Sequence, residues 1–491
     1  MSQYACEVWF ARSREAFAGV EQWLAGPQAA GLELAGLEEE LESRGQEIKR
    51  RLLQDHLFAR AAAEPRLGRV TGPDGVARSW AERGCPRQLA SIFGPVTVTR
   101  IAYRAPGVRR VHLADEQLGL PAGKHSPGLV KMAAAAAAAG SLAAACAQVR
   151  ARTRCALGIR QCQELVRAAA ADFDGFYAAR PRPSPGPGQV LVLSCDAKGV
   201  RMRPGQLRPR AERAARASVP KQDGRLSQGE VRTRRRMAGT GAVFAITPVP
   251  RTAQDIVGPG PRSPGPAAQD KWLTASVTAT TAEAIAAISA EAGRRDPGRQ
   301  VTWIALADGN KDQIRQIRAQ AAARGITIPV IIDLIHVTEH LWDAAWCLFP
   351  AASPAAGPWV RARAAALLEG GPDAAAAVAA ALRHAAAHLG KTRRATAEKT
   401  AAYLQAKAPY LDYPKALAAG WPIATGVIEG ACRHLVKDRM DITGARWGTQ
   451  TADAILKLRA LITNGDFDDY WTWHLQQEHQ RNYPRSYTLA A

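Results

Sequence analysis

The sequence predicts a mixed α/β protein: a five-stranded mixed sheet interrupted by a helical insertion, preceded by a mainly helical N-terminal region with a helix-turn-helix-like unit. Three observations lead there. Past residue 189 the apolar runs follow the order strand, strand, strand, helix, strand, helix, strand, and then helices alone. Before residue 181 helical periodicity dominates, broken by one pair of strands. Between the two, PRPSPGPG (residues 181–188) alternates proline and glycine without an apolar period and reads as a linker.

Composition narrows the partners. The 491 residues leave room for about three domains. Lys plus Arg number 65 and Asp plus Glu 44, a formal charge of +21. An excess of that size predicts an anionic partner, nucleic acid or an acidic surface. With 47% apolar and 22% charged residues, wholesale disorder is excluded. The 8 cysteines include no C-x-x-C pair, which speaks against a disulfide scaffold or a thiolate zinc ribbon and suits a reducing cytoplasm. MSQYACEVWFARSREAF lacks the basic-then-apolar layout of a signal peptide. The uncharged-looking stretch 129–149 contains Lys131 and Gln148 in a bulk of alanine, so a soluble helix is expected there and no membrane partner.

In the first region, 1–79, residues 14–62 read as helix. Leu34, Leu37, Leu41, Ile48, Leu52 and Leu53 recur at helical spacing, and Glu38, Glu39 and Glu40 precede Lys49, Arg50 and Arg51. The second region, 80–180, opens with strand character: ASIF and VTVTRIAYR flank a hairpin turn at Gly94-Pro95. Ser126 suits a cap for a helix beginning at Pro127, Gly140 breaks it, and Ser141 caps a second. A third starts near Gly158, with Ile159, Cys162, Leu165, Val166, Ala169, Phe173 and Phe176 on one face. Arg160, Gln161, Glu164 and Arg167 lie on the other. Three short helices ending in an Arg/Gln face fit a helix-turn-helix reader of the DNA major groove, with Arg160 and Arg167 as contacts; a plain three-helix packing unit fits the same pattern.

The third region, 189–350, begins with VLVL (190–193), a strand ending at Asp196. Residues 198–236 carry thirteen Lys or Arg against three acids, and Arg234, Arg235 and Arg236 are the expected phosphate contacts. Strands follow at 241–249, 272–280, 301–307 (ending at Asp308) and 326–333, with Thr281 capping a helix before the fourth. This is the order of an RNase H-like domain, whose first and fourth strands are parallel neighbours. Asp196 and Asp308 should then emerge side by side. Taken singly each is an ordinary strand-end Asp, but the matched pair is not. Carboxylates so placed repel unless cations share them, which suits two Mg2+ (or Mn2+) ions clamping a phosphate. The third acid comes from a late helix, with Glu429 in PIATGVIEGACRHLVKDRM the first choice and Asp333 its rival.

LSCDAKGVRMRP, SQGEVRTRRRMAGTGAVFAITPVPRT, ADGNKDQIRQI, DLIHVTEHLWDAAW and ATGVIEGACRHLVKDRMDITGARW resemble successive motifs of bacterial insertion-sequence transposases of the ISKra type. The likeness is collinear and covers the chain past residue 80. It implies a DDE transposase whose catalytic and metal-binding triad falls on Asp196, Asp308 and Glu429. It implies a helical insertion between the second and third acids, at 351–420, and completion of the core by 421–491. Asp333 and His336 match the Asp-x-x-His signature of Mutator-like relatives and take a supporting role. The implied partners are terminal inverted repeats and target DNA, bound by at least a dimer in the bacterial cytoplasm at the nucleoid. The implied reaction is attack of water on a phosphodiester at the element end, freeing a 3′ hydroxyl that then attacks target DNA.

Other readings compete. Ala197 stands where the family commonly has Gly, so a catalytically decayed, DNA-binding descendant is the alternative. HVTEH (336–340) fits the H-x-x-E-H zinc pattern, with His336 and His340 on one helix face. A zinc peptidase, however, leaves the +21 charge and the strand-end acids unexplained. Trp447 in GARWG reads as a core tryptophan, with stacking on an unpaired base as the other role.

Overall fold

The computed structural model describes residues 9–217, 234–258, 260, 264–442, 444–484 and 488–489, so residues 218–233 of the basic run, including SQGEVRT, lie outside the described residues. The chain divides into two units, Met1–Ala178 with Asp466–Ala491, and Ala179–Gly465.

This division differs from the regions expected above. No boundary falls near residue 80, because the strand pair packs on the long N-terminal helix. Nor does 421–491 act as one piece, because the chain from Asp466 onward returns to the N-terminal unit. There Tyr470 is fully buried and its hydroxyl donates to the Ala169 carbonyl at 2.7 Å. The Tyr177 hydroxyl donates to Asp466 at 2.9 Å, and Phe176 meets Tyr470 edge-on at 5.4 Å.

In the first unit, α1 (Ala11–Leu24) and α2 (Leu34–Ala63) replace the single helix expected over 14–62. Gly26-Pro27 and Gly31 interrupt it, since proline removes a backbone donor and glycine favours a helix end. β1 (Trp80–Ser91) and β2 (Gly94–Arg104) pair antiparallel through a tight turn at Ile92-Phe93, just before the expected position. Gly94 takes φ 123°, where a side chain would be strained. Leu57 of α2 packs with Leu89, Val96 and Val98, and Gln54 exchanges two hydrogen bonds with the Thr97 backbone at 2.8 and 2.9 Å. The unpaired edge of β2 is thereby covered.

α3 (Pro127–Ala139), α4 (Leu142–Thr153) and α5 (Ile159–Ala169) follow. The hydroxyls of Ser126 and Ser141 accept from Leu129 and Ala144 N–H at 3.3 and 3.0 Å, the caps expected from sequence. Cys162, Val166 and Ala169 are buried, whereas Ile159 is exposed and leaves the stripe assigned to it. Phe173 and Phe176 belong instead to a separate helix, α6 (Phe173–Ala179).

The second unit is mixed α/β. Its sheet comprises β3 (Val190–Arg201), β4 (Arg235–Ile246), β5 (Ala268–Ser276), β6 (Thr302–Ala307) and β7 (Val330–Ile332), in the order β5-β4-β3-β6-β7. β3, β4 and β5 form an antiparallel meander, and β3–β6 and β6–β7 are parallel. β3 does not end at Asp196 but runs to Arg201, because β4 begins earlier than expected and pairs with it to the end. Only three residues of 326–333 join the sheet, and α7 (Thr281–Arg295) is capped by Thr280 rather than Thr281. α7 lies so close to β4 that a side chain on Gly241 would come within 2.5 Å of Ile288.

α8 (Lys311–Ala323) joins β6 to β7, and α9 (Leu334–Leu348) leaves β7. The insertion consists of α10 (Ala356–Ala386), kinked where Gly371 precedes Pro372, and α11 (Lys391–Lys407). α10 is long and apolar enough to cross a membrane by length and composition. Val360, Ala364, Leu367, Leu368, Ala375 and Leu382 are nevertheless buried along it, as in the core helix of a globular unit. α12 (Gly426–Ala431) continues through a wider π-helical turn, Cys432–Lys437, and α13 (Thr449–Thr463) closes the unit.

Candidate active site

Ser194 is the last residue of β3 to pair with β6, opposite Leu306. Asp196 and Asp308 each lie two residues further on, Asp196 within β3 and Asp308 just past the end of β6. Leu306 in turn pairs with Ile331 of β7, two residues before Asp333. Asp308 and Asp333 thus follow the ends of two neighbouring parallel strands, next to the strand that carries Asp196.

The turn after β6 is built by its own sequence. Asp308 Oδ1 accepts the Asn310 N–H at 2.8 Å, and the Asn310 side chain caps α8 by accepting from Asp312 N–H at 2.9 Å. Gly309 has φ 93°, and a side chain there would meet the Tyr403 hydroxyl at 3.1 Å.

Asp333 is 3% exposed and caps α9. One of its oxygens accepts the Ile335 N–H at 2.9 Å and the other accepts the Thr425 hydroxyl at 2.5 Å. Thr425 also lies 3.3 Å from Glu429 Oε1, and the Leu334 N–H donates to the Ile423 carbonyl at 2.9 Å. Asp333 thus commits one oxygen to capping α9 and the other to Thr425, at the start of the Glu429 helix. The far side of that helix is tied to β3 by Cys432, whose thiol donates to Asp196 Oδ2 at 3.3 Å. The π-helical turn begins at this contact.

Asp196, Asp308, Asp333 and Glu429 line one open cavity of about 810 Å3, together with His336, Glu339 and the bases Lys198, Arg433 and Lys437. Among the described residues no three acid, imidazole or thiol groups converge closely enough to hold one ion between them. Burial, then the charges of Asp308 and Asp196, pushes the Cys195 thiol up to about 12. Burial, then Asp196, does the same to Cys432. Both thiols are protonated at neutral pH, beside the carboxylates of Asp196, Asp308 and Glu429 and the His336 imidazole in the same cavity.

The two H-x-x-E-H rings meet edge-on at 5.0 Å but have different neighbours. His336 borders the cavity, with Nδ1 3.3 Å from Glu339. His340 instead stacks on Tyr403 at 4.0 Å between ring centres, and burial followed by the neighbouring His336 lowers its pKa. Tyr403 and Lys407, both from α11, are site neighbours that sequence reasoning missed. The buried Tyr403 hydroxyl has no hydrogen-bond partner among the described residues. Burial, then Asp308 and Asp333, raises its pKa. Alanine-rich helical periodicity carries no signal for either residue.

The expected DNA contacts are spread over both units. Arg160 and Arg167 are exposed on α5, Arg160 lying 3.4 Å from Glu164. Arg234 and Arg235 are exposed on the other unit. Arg236 is half-buried, and its Nε donates to the Val277 carbonyl at 2.6 Å, tying β4 to the end of β5. Trp447 is buried, its indole N–H donating to Met440 O at 3.0 Å, which makes it a core residue. Compared with known proteins, the chain matches no family model and no curated sequence.

The Thr425 contact is testable alone. Thr425→Val preserves shape but leaves a buried Asp333 oxygen without its donor, which should cost about 1–3 kcal/mol in urea unfolding. Thr425→Ser should recover most of the loss. Equal stability of the Val variant and the wild type would show that the hydrogen bond contributes nothing.

Proposed function

We propose that the chain is a DDE transposase with an RNase H-like core, which binds the ends of an insertion sequence and catalyses metal-dependent DNA strand cleavage and strand transfer. The observation that carries this reading is that Asp196 of β3 and Asp308, just past the adjacent parallel strand β6, share one cavity with Glu429 from a late helix. The strand order β5-β4-β3-β6-β7 is the one such a core requires, and the +21 charge supplies the attraction to DNA. α3, α4 and α5 pack on one another and end in exposed Arg160 and Arg167, in keeping with a helix-turn-helix reader.

Asp196, Asp308 and Glu429 would hold the magnesium or manganese ions. Bound there, such ions supply Lewis-acid activation and neutralise phosphate charge. Lys198, Arg433 and Lys437 hold the DNA backbone at the cavity rim, and the Asp333–Thr425 contact orients the Glu429 helix. Water attacks the phosphodiester in line at the element end, and the 3′ hydroxyl released attacks target DNA in the same cavity. Two ends must be held together, so the working form is at least a dimer, acting in the cytoplasm at the nucleoid. A zinc peptidase would need His340 as a ligand, and its ring is engaged with Tyr403.

Manganese-supported cleavage of DNA flanking the reading frame, abolished by chelator, separates an active enzyme from a decayed DNA-binding descendant. Salt dependence tests the contacts. Neutralising Arg234 and Arg235 should flatten the slope of log K against log salt by up to about two units, at roughly 0.9 per phosphate. Adding Arg236→Ala should change it little further. An unchanged slope in the double variant would place that pair away from the DNA.

A further inference from the structure

α2 carries an apolar seam that its own unit leaves open. Leu34, Leu41 and Leu52 are 71%, 45% and 44% exposed, and helical geometry sets them within about 20° of one line. Other sides of the helix are occupied: Arg44 lies over the Trp23 ring of α1 at 4.3 Å, and Gln54 is bonded to Thr97 of β2.

Gly45 falls on the same line, near its middle. A side chain there would meet nothing within 4 Å, so no contact within the chain requires glycine. A mid-helix glycine weakens a helix, and what it offers in return is close approach by a second backbone. The charges are ordered about the same point. Glu38 and Glu42 flank the seam before Gly45, and Lys49 flanks it after, all three exposed. Glu38 and Lys49 make no ion pair among the described residues. Glu38, Glu42 and Lys49 lie on one flank of the seam, and an antiparallel two-fold pair brings the same flank of both helices together, so each copy's acids meet the other's lysine.

We propose that α2 pairs antiparallel with α2 of a second copy of this chain, across a two-fold axis at Gly45. Each copy's acidic half then faces the other's Lys49, and Leu34 of one copy lies near His56 of the other. The pairing does not rest on the DNA chemistry proposed above, and its test needs neither DNA nor metal.

The full chain should show a two-chain mass by light scattering. Leu34→Glu, Leu41→Glu and Leu52→Glu combined, all at exposed positions, should give a one-chain mass with unchanged helical circular dichroism. Gly45→Cys, treated with copper phenanthroline, should form a disulfide joining the introduced thiols of two chains, identified as a linked peptide by mass spectrometry. Leu34→Cys should not link to itself but should link to His56→Cys when the two variants are mixed. A one-chain mass for the wild type, a two-chain mass for the triple Glu variant, or self-linked Leu34→Cys would each overturn the proposal.

Discussion

Asp308→Asn should lower DNA strand cleavage by at least about 1,000-fold, equivalent to about 4 kcal/mol of barrier, with Asp196→Asn and Glu429→Gln falling as far. Each change replaces a carboxylate with an amide of the same shape, so the cavity keeps its outline while a hard anionic donor disappears. DNA affinity should stay within about twofold of wild type, because the basic rim is untouched and phosphate contacts set affinity. Gel shift and end-labelled cleavage on the same preparations separate the two. Asp333→Asn should behave differently and lose stability first, since both of its oxygens already accept hydrogen bonds from the protein. Cleavage that survives Glu429→Gln but is lost in a folded Asp333→Asn would move the third acid to Asp333.

Glu291→Gln should cost the second unit about 3–5 kcal/mol. Glu291 on α7 is fully buried and meets Arg182 at 3.0 Å, Arg295 at 2.9 Å and Arg294 at 2.9 Å. Arg182 and Arg295 are themselves 5% exposed at the side chain. Removing the carboxylate takes away the charge that Arg182 and Arg295 share, and breaking a buried ion pair from one side is strongly destabilising. Arg182 belongs to PRPSPGPG, so the same change also frees the segment entering β3. The urea midpoint of the second unit is the measurement. A shift equivalent to less than about 1 kcal/mol would mean that water reaches and solvates the cluster.

Legibility from sequence tracked the range of each interaction. The caps at Ser126 and Ser141 depend on residues within a few positions, and are readable. The strand order was readable too, because each strand is a short apolar run between turn signals. Strand ends were less so: β3 passes Asp196 only because β4 pairs with it to Arg201. Arg236 looked like its two neighbours until the Val277 carbonyl, about forty residues on, appeared beside it. The return of 466–491 to the N-terminal unit rests on contacts such as Tyr470 with Ala169, for which no local pattern exists. In the site, the neighbouring placement of Asp196 and Asp308 followed from topology. The Asp333–Thr425 clamp and the approach of Tyr403 did not, since both join segments separated by tens of residues.

The central claim is that one cavity, built on Asp196, Asp308 and Glu429, transfers a DNA 3′ hydroxyl onto a phosphodiester without a covalent protein intermediate. The most direct measurement is strand joining with a pre-cut duplex that ends at the boundary of the element, incubated with the full chain, magnesium and a supercoiled target plasmid. The account predicts joined products that require the terminal 3′ hydroxyl, vanish with a 3′-deoxy end, and vanish in Asp308→Asn. Joining that persists with the 3′-deoxy end or in Asp308→Asn, or DNA recovered covalently attached to the protein, would contradict it.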